Sequence, residues 1–128
     1  MSETNIQAAI NAVADRITAL LDIPITPPPL LKDGGVVLYP EGGGIEAQSL
    51  DQSHARCYAD VTVECKAREA AEGYRTASSI YERIRAPDFS GLFGGVQILS
   101  VRALSAPRLV SRTDDVVYAF SLRINYYF

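Results

Sequence analysis

The sequence is short of the side chains on which most catalysis depends. Histidine occurs once and cysteine twice in 128 residues. The single histidine, His54, sits in a polar stretch, and Cys57 follows three positions later. A thiol–imidazole pair needs an exposed, activated cysteine. Cys57 instead falls on the apolar phase of an alternating run, which predicts a loop histidine beside a buried thiol. Two cysteines with no further clustered ligands do not make a metal site. Cys57 and Cys65 lie in one predicted strand, about 26 Å apart at a rise of about 3.3 Å per residue. A disulfide needs Cα atoms within about 7 Å. Both are therefore expected to be free, buried and small-apolar in character.

Long hydrophobic runs are also lacking, and no stretch approaches the ~18 apolar residues of a membrane helix. The first residues carry Glu3, Asp15 and Arg16 and no basic leading region, unlike a signal peptide. The formal net charge is -3 and no basic cluster occurs, which removes the electrostatic reason to expect nucleic acid. A soluble chain made in the cytoplasm is the expectation. The Glu41-Gly42-Gly43-Gly44 run lacks the GK[ST] ending of a phosphate loop and no helix follows it. Glu41, Glu46 and Asp51 do not match the spacing of a calcium-binding EF-hand loop. Asp114 and Asp115 read as turn residues. Neither a cofactor nor an enzymatic activity is expected.

What the sequence does have is periodicity. Hydrophobic residues make up 48% of the chain, and its length suits one domain, 1–128. Ile6, Ile10, Val13, Ile17, Leu20 and Leu21 recur in steps of three and four, predicting a helix over 5–21. Thr4 and Gln7 fit a capping box at its start. Pro24 ends it, and Pro27-Pro28-Pro29 reads as a stiff extended link. The segment 34–40 reads as a short strand closed by Pro40. Residues 41–55 then read as a long, glycine-rich polar loop, expected to be mobile in the free subunit.

Cys57, Ala59, Val61, Val63 and Cys65 alternate with Tyr58, Asp60, Thr62 and Glu64, a half-buried strand. Residues 68–86 return to helical period, with Ala70, Tyr74, Ala77, Tyr81 and Ile84 on one stripe and Ile80 beside it. Gly73 inside this helix costs up to about 1 kcal/mol against alanine, which suggests close approach to a sheet. Pro87 and the FSGLFGG segment read as a turn. In 96–104 the alternation changes phase, which predicts a bulge near Ser100 or burial of both faces. A second polar connection covers 105–115. The last strand, 116–128, points Val116, Tyr118, Phe120, Leu122, Ile124, Tyr126 and Phe128 one way. The order α-β-β-α-β-β predicts an α+β sandwich, two helices packed on a mostly antiparallel sheet.

Two long polar connections on a rigid sheet suggest contact surfaces, and hence an assembly component. The succession of helix, proline-rich link, LYPEGG, long loop, YADVTVECKARE, GYRTASSIYERIR and SVRALSAPRLVSRTDDVVYAFSLRINYYF resembles the minor capsid or tail-terminator proteins of long-tailed bacteriophages. Tyr39-Pro40-Glu41-Gly42 and the closing pattern Pro107, Asp115, Tyr118, Phe120 and Ile124 carry the resemblance, which spans nearly the whole chain. It implies an α+β sandwich that forms a ring, usually of six subunits. The ring would cap the tail tube and meet the head connector, at the head–tail junction of the virion. The implied partners are further copies of the chain, the tail tube protein and the head-tail connector protein, with no sequence-specific nucleic acid and no membrane. Glu41, Gly42, Gly43, Gly44, Glu46, Asp51, His54, Arg112, Asp114 and Asp115 are the candidate assembly contacts. Two other readings stay open. One is a head-completion protein on the other side of the same junction. The other is a stand-alone module holding a small apolar ligand among Tyr74, Tyr81 and Phe120.

Overall fold

The alternation at 57–65 becomes the central strand of one sheet. The structure, a computed structural model, describes residues 2–26, 35–48, 55–86, 89–93, 95–111 and 116–127. Its elements are α1 (Ser2–Leu21), β1 (Ile25–Thr26), β2 (Val36–Gln48), β3 (Ala55–Ala67), α2 (Ala70–Ile84), β4 (Gly91–Phe93), β5 (Val96–Ala103), β6 (Arg108–Ser111) and β7 (Val116–Tyr127). The long elements follow the predicted order α-β-β-α-β-β. The sheet order is β1-β2-β3-β7-β5-β4, with β6 also on β7. All pairings are antiparallel except the two-residue β1–β2 pair.

One face of the sheet carries both helices. Cys57, Ala59, Val61, Val63 and Cys65 of β3 and Phe120, Leu122, Ile124 and Tyr126 of β7 are buried on it. They join Ala9, Ile10, Val13 and Ile17 of α1 and Ala77, Ile80 and Ile84 of α2 in one core. Each fully buried aliphatic or aromatic side chain contributes about 1.5–3 kcal/mol, so period-2 strands and period-3.6 helices meet on one layer. The opposite face has no helix on it among the described residues.

Helix α1 begins two residues before the predicted capping box, so Thr4 lies inside the helix and is not its cap. It ends at Asp22, whose φ of 56° is left-handed. The Asp22 N–H still donates to the Thr18 carbonyl at 2.9 Å, and the Thr18 hydroxyl donates to the Ile23 carbonyl at 2.9 Å. In α2 the buried stripe is Gly73, Ala77, Ile80 and Ile84. The expected stripe through Tyr74 is turned by one residue, and Tyr74 is 53% exposed. The cause is Gly73: a Cβ there would lie 3.3 Å from Cδ2 of Tyr118 and 3.5 Å from Cβ of Ala67. The glycine lets helix and sheet approach, as its position suggested, but a side-chain pattern cannot count it.

The largest correction concerns 41–55. Pro40 does not end the strand, and β2 runs on through the glycines to Gln48, paired with β3 as far as Gln48–Ala55. The expected mobile loop is therefore ladder over 41–48. Only 49–54 connects the two strands, and those residues, with Asp51 and His54, lie outside the described ones. The register skips Glu41 and again Glu46, two bulges in one strand. Proline is tolerated because β2 has no neighbour beyond β1 on its outer side among the described residues.

The expected polar connection 105–115 contains a strand, β6, over 108–111. Strand β6 pairs with β7 through Arg108–Ala119 and Leu109–Tyr118. Thus β5 and β6 line one edge of β7 in succession, joined where Leu104 N–H donates to the Ser121 carbonyl at 2.7 Å. Arg112, Asp114 and Asp115 lie outside the described residues. The FSGLFGG segment contains the short strand β4, which pairs with Val96, Gln97 and Ile98. The bulge expected near Ser100 is present: Ile98 faces Tyr126, Ser100 faces Asn125, and Leu99 is skipped. It lets both Ile98 and Val101 reach the core.

Candidate functional site

Alternation sends the even residues of β3 and the odd residues of β7 to the helix-free face. Their register builds rows across the sheet. Gly42, Asp60, Arg123 and Arg102 form one such row, each paired with the next across β2, β3, β7 and β5. Arg123 Nε donates to Asp60 Oδ1 at 2.7 Å, and Nη2 donates to Oδ2 at 3.0 Å. The guanidinium carbon also lies 4.4 Å from the Tyr58 ring centroid. A two-pronged pair is stronger and more directional than a single bond. Stacking on an aromatic face adds to it. Both side chains keep about 30% exposure, so solvent still screens the pair.

Arg102 is different. It is exposed and stands directly opposite Arg123, whose acid is already engaged. Like charges opposite one another in a sheet repel, and Arg102 has no partner among the described residues. At the other end of the row, Glu41 is exposed at the bulge beside Gly42 and accepts a bond from the Thr62 hydroxyl at 2.9 Å. The row thus carries an unbalanced base at one edge and an acid at the other.

The neighbouring glycines of β2 differ from one another. A Cβ at Gly42 would meet nothing within 4 Å. At Gly43 it would come 2.5 Å from the Tyr58 carbonyl oxygen and 2.9 Å from Cδ1 of Ile6. Gly43 is required where α1 crosses the sheet, whereas Gly42 borders open space.

Of the sequence-derived contacts, Glu41, Gly42, Gly43, Gly44 and Glu46 come together on β2 at one sheet edge. Asp60, Arg123, Arg102 and Tyr58 escaped sequence reasoning as a group. Their signal was opposite charge at outward positions of two alternating strands, which becomes a contact only once the register is known. Cys57 is buried beside the Ala55 carbonyl, with Sγ 3.8 Å from it. Burial, and secondarily the charge of Glu64, pushes the Cys65 thiol up to about 12. Burial, and secondarily Cys57, does the same to the Tyr126 hydroxyl.

Among the described residues no group of three or more His, Cys, Asp or Glu side chains gathers. No helix among them is long and apolar enough to cross a membrane. Of the rings that were candidates for a ligand pocket, Tyr81 meets Phe120 edge-on at 5.7 Å, and Tyr74 meets Tyr118 at 5.5 Å. No protein-family model and no curated protein matches the chain.

Proposed function

We propose that the protein is a structural subunit of a long-tailed bacteriophage, one that caps the tail tube as a ring and joins it to the head connector. The resemblance of the chain to tail-terminator proteins supports this reading. The observation that carries it is the pair of largely uncovered edges on one sheet among the described residues, β2 with only the two-residue β1 beyond it on one side, and β6 with β5, which has only the three-residue β4 beyond it, on the other. Unlike edges on opposite sides join copies head to tail, and a head-to-tail contact whose rotation closes gives a ring. A closed ring offers one face to the tube and one to the head without further growth. The partners are then further copies of the chain, six to the ring as the resemblance implies, together with the tube and connector proteins at the virion's head–tail junction.

The test is genetic. Deleting the gene from the phage that carries it is expected to leave complete heads beside tails of excess or uncontrolled length that do not join. Tails of normal length joined to heads would end the reading. Defective heads with normal free tails would move the protein to the head side of the junction.

A further inference from the structure

The two open edges have matching unpaired windows. On β2, strand β1 covers only Val36 and Val37, and Pro40 to Gly44 have no strand on their outer side among the described residues. On β5, strand β4 covers Val96 to Ile98, so Ser100 to Ala103 have no strand on their outer side among the described residues. The register through β3 and β7 places these windows at the same level. Ser100 shares a row with Gly44, Val101 with Gly43, Arg102 with Gly42, and Ala103 with Pro40. The successive antiparallel pairings also make β5 run opposite to β2.

We propose that these windows pair between copies of the chain: Ser100–Ala103 of one copy adds to the outer edge of β2 in the next, antiparallel, with Arg102 lying over Gly42 against Glu41. The inference rests on the ring reading and supplies its contact. In a ring whose axis runs along the strands, every copy keeps its strand direction, so the junction is antiparallel. A slip of one residue would turn the side chains to the wrong face, so face matching restricts the register. Three features select a second copy as the occupant. The windows agree in level and direction. The open space above Gly42 admits a long side chain from a neighbour. The charges complement one another, since among the described residues of its own chain Arg102 stands opposite Arg123, whereas the next copy offers Glu41. Pro40 and the bulge at Glu41 fall within the window and restrict what can pair there, while the bulge at Glu46 blunts the edge beyond it against indiscriminate pairing.

Disulfide trapping tests the contact. Opposed residues in an antiparallel pair have Cα atoms about 4.5–5.5 Å apart, within disulfide reach. One preparation carries Gly42→Cys and another Arg102→Cys, both at exposed positions. The native cysteines are buried and do not compete. Under mild oxidation the mixture is expected to form 42–102 heterodimers, and neither preparation alone should form dimers. A chain bearing both substitutions should give a ladder of covalent multimers. In the otherwise native protein, Arg102→Glu should weaken association roughly tenfold, and adding Glu41→Arg should restore it. Dimers linked 42–42 would overturn the inference in favour of a symmetric edge contact. A ring by mass measurement without any 42–102 link would overturn the inference while leaving the ring reading standing. A protein that stays monomeric and unlinked at high concentration would count against both.

Discussion

Replacing Gly43 by alanine adds one methyl group where the structure has no room for it. The new carbon would stand 2.5 Å from the Tyr58 carbonyl oxygen and 3.3 Å from the Ala59 Cα. Both atoms belong to the backbone of β3, which is held on its other side by β7. The third neighbour, Cδ1 of Ile6 at 2.9 Å, is the end of a side chain and can yield. Relief therefore requires the β2–β3 ladder to part or twist. Overpacking of this kind costs about 1–3 kcal/mol. For a domain of this size each kcal/mol moves the midpoint by about 3–5 °C, so Gly43→Ala should melt about 3–15 °C below the parent. Gly42→Ala meets nothing within 4 Å and has no positive φ to strain it. Restricting the unfolded chain should then make it neutral or up to about 1 kcal/mol more stable. Gly44→Ala makes an ordinary 3.4 Å contact with the Tyr58 ring and should fall between them. Thermal and urea unfolding of the dilute proteins, followed by circular dichroism, ranks the three. Equal stability of Gly43→Ala and the parent, or an equal loss at Gly42, would refute the close packing of β2 on β3.

Asp60→Asn removes the acid that pairs with Arg123, which on its other side stands opposite Arg102. About 1 kcal/mol should be lost at low ionic strength and less in high salt, because the pair is partly exposed and screened. Urea titrations in two salt concentrations check it, and a salt-independent loss would point to packing instead. The raised Cys65 and Tyr126 groups define an alkaline window. Each folded-state value lies above the unfolded one, so the unfolded chain releases its protons first and stability falls as pH rises. The contribution is complete below about 9, the ordinary thiol value, and is lost on the way up to about 12. Unfolding free energies measured from pH 8 to pH 11 should decline, and the Cys65 thiol should react with a disulfide reagent only on unfolding. Rapid native labelling at pH 8 would contradict its burial.

The helices and long strands were legible because burial imposes a period on side chains. Cys57, Ala59, Val61, Val63 and Cys65 spell one face of β3, and the even residues of β7 spell its match. The phase change in 96–104 even announced the bulge, since a skipped residue is the cheapest way to keep Ile98 and Val101 on one side. The stretch 41–48 was illegible for the opposite reason. Gly42, Gly43 and Gly44 carry no side chain, so no alternation could mark them, and glycine has little intrinsic preference for strand. Their conformation is decided by backbone bonds to β3 and by α1 lying above Gly43.

The candidate surface divides along the same line. Composition and pattern determined a helix-backed, mostly antiparallel sheet, two free thiols on its core face, and acidic and glycine residues near one another at 41–46. Local side-chain chemistry suffices for that. Which residues share a row did not follow from the sequence, because register belongs to pairs of strands and not to either one alone. Only the tertiary structure put Asp60 against Arg123, left Arg102 facing a like charge, and brought the unpaired windows of β2 and β5 to one level, since each depends on pairing carried across four strands.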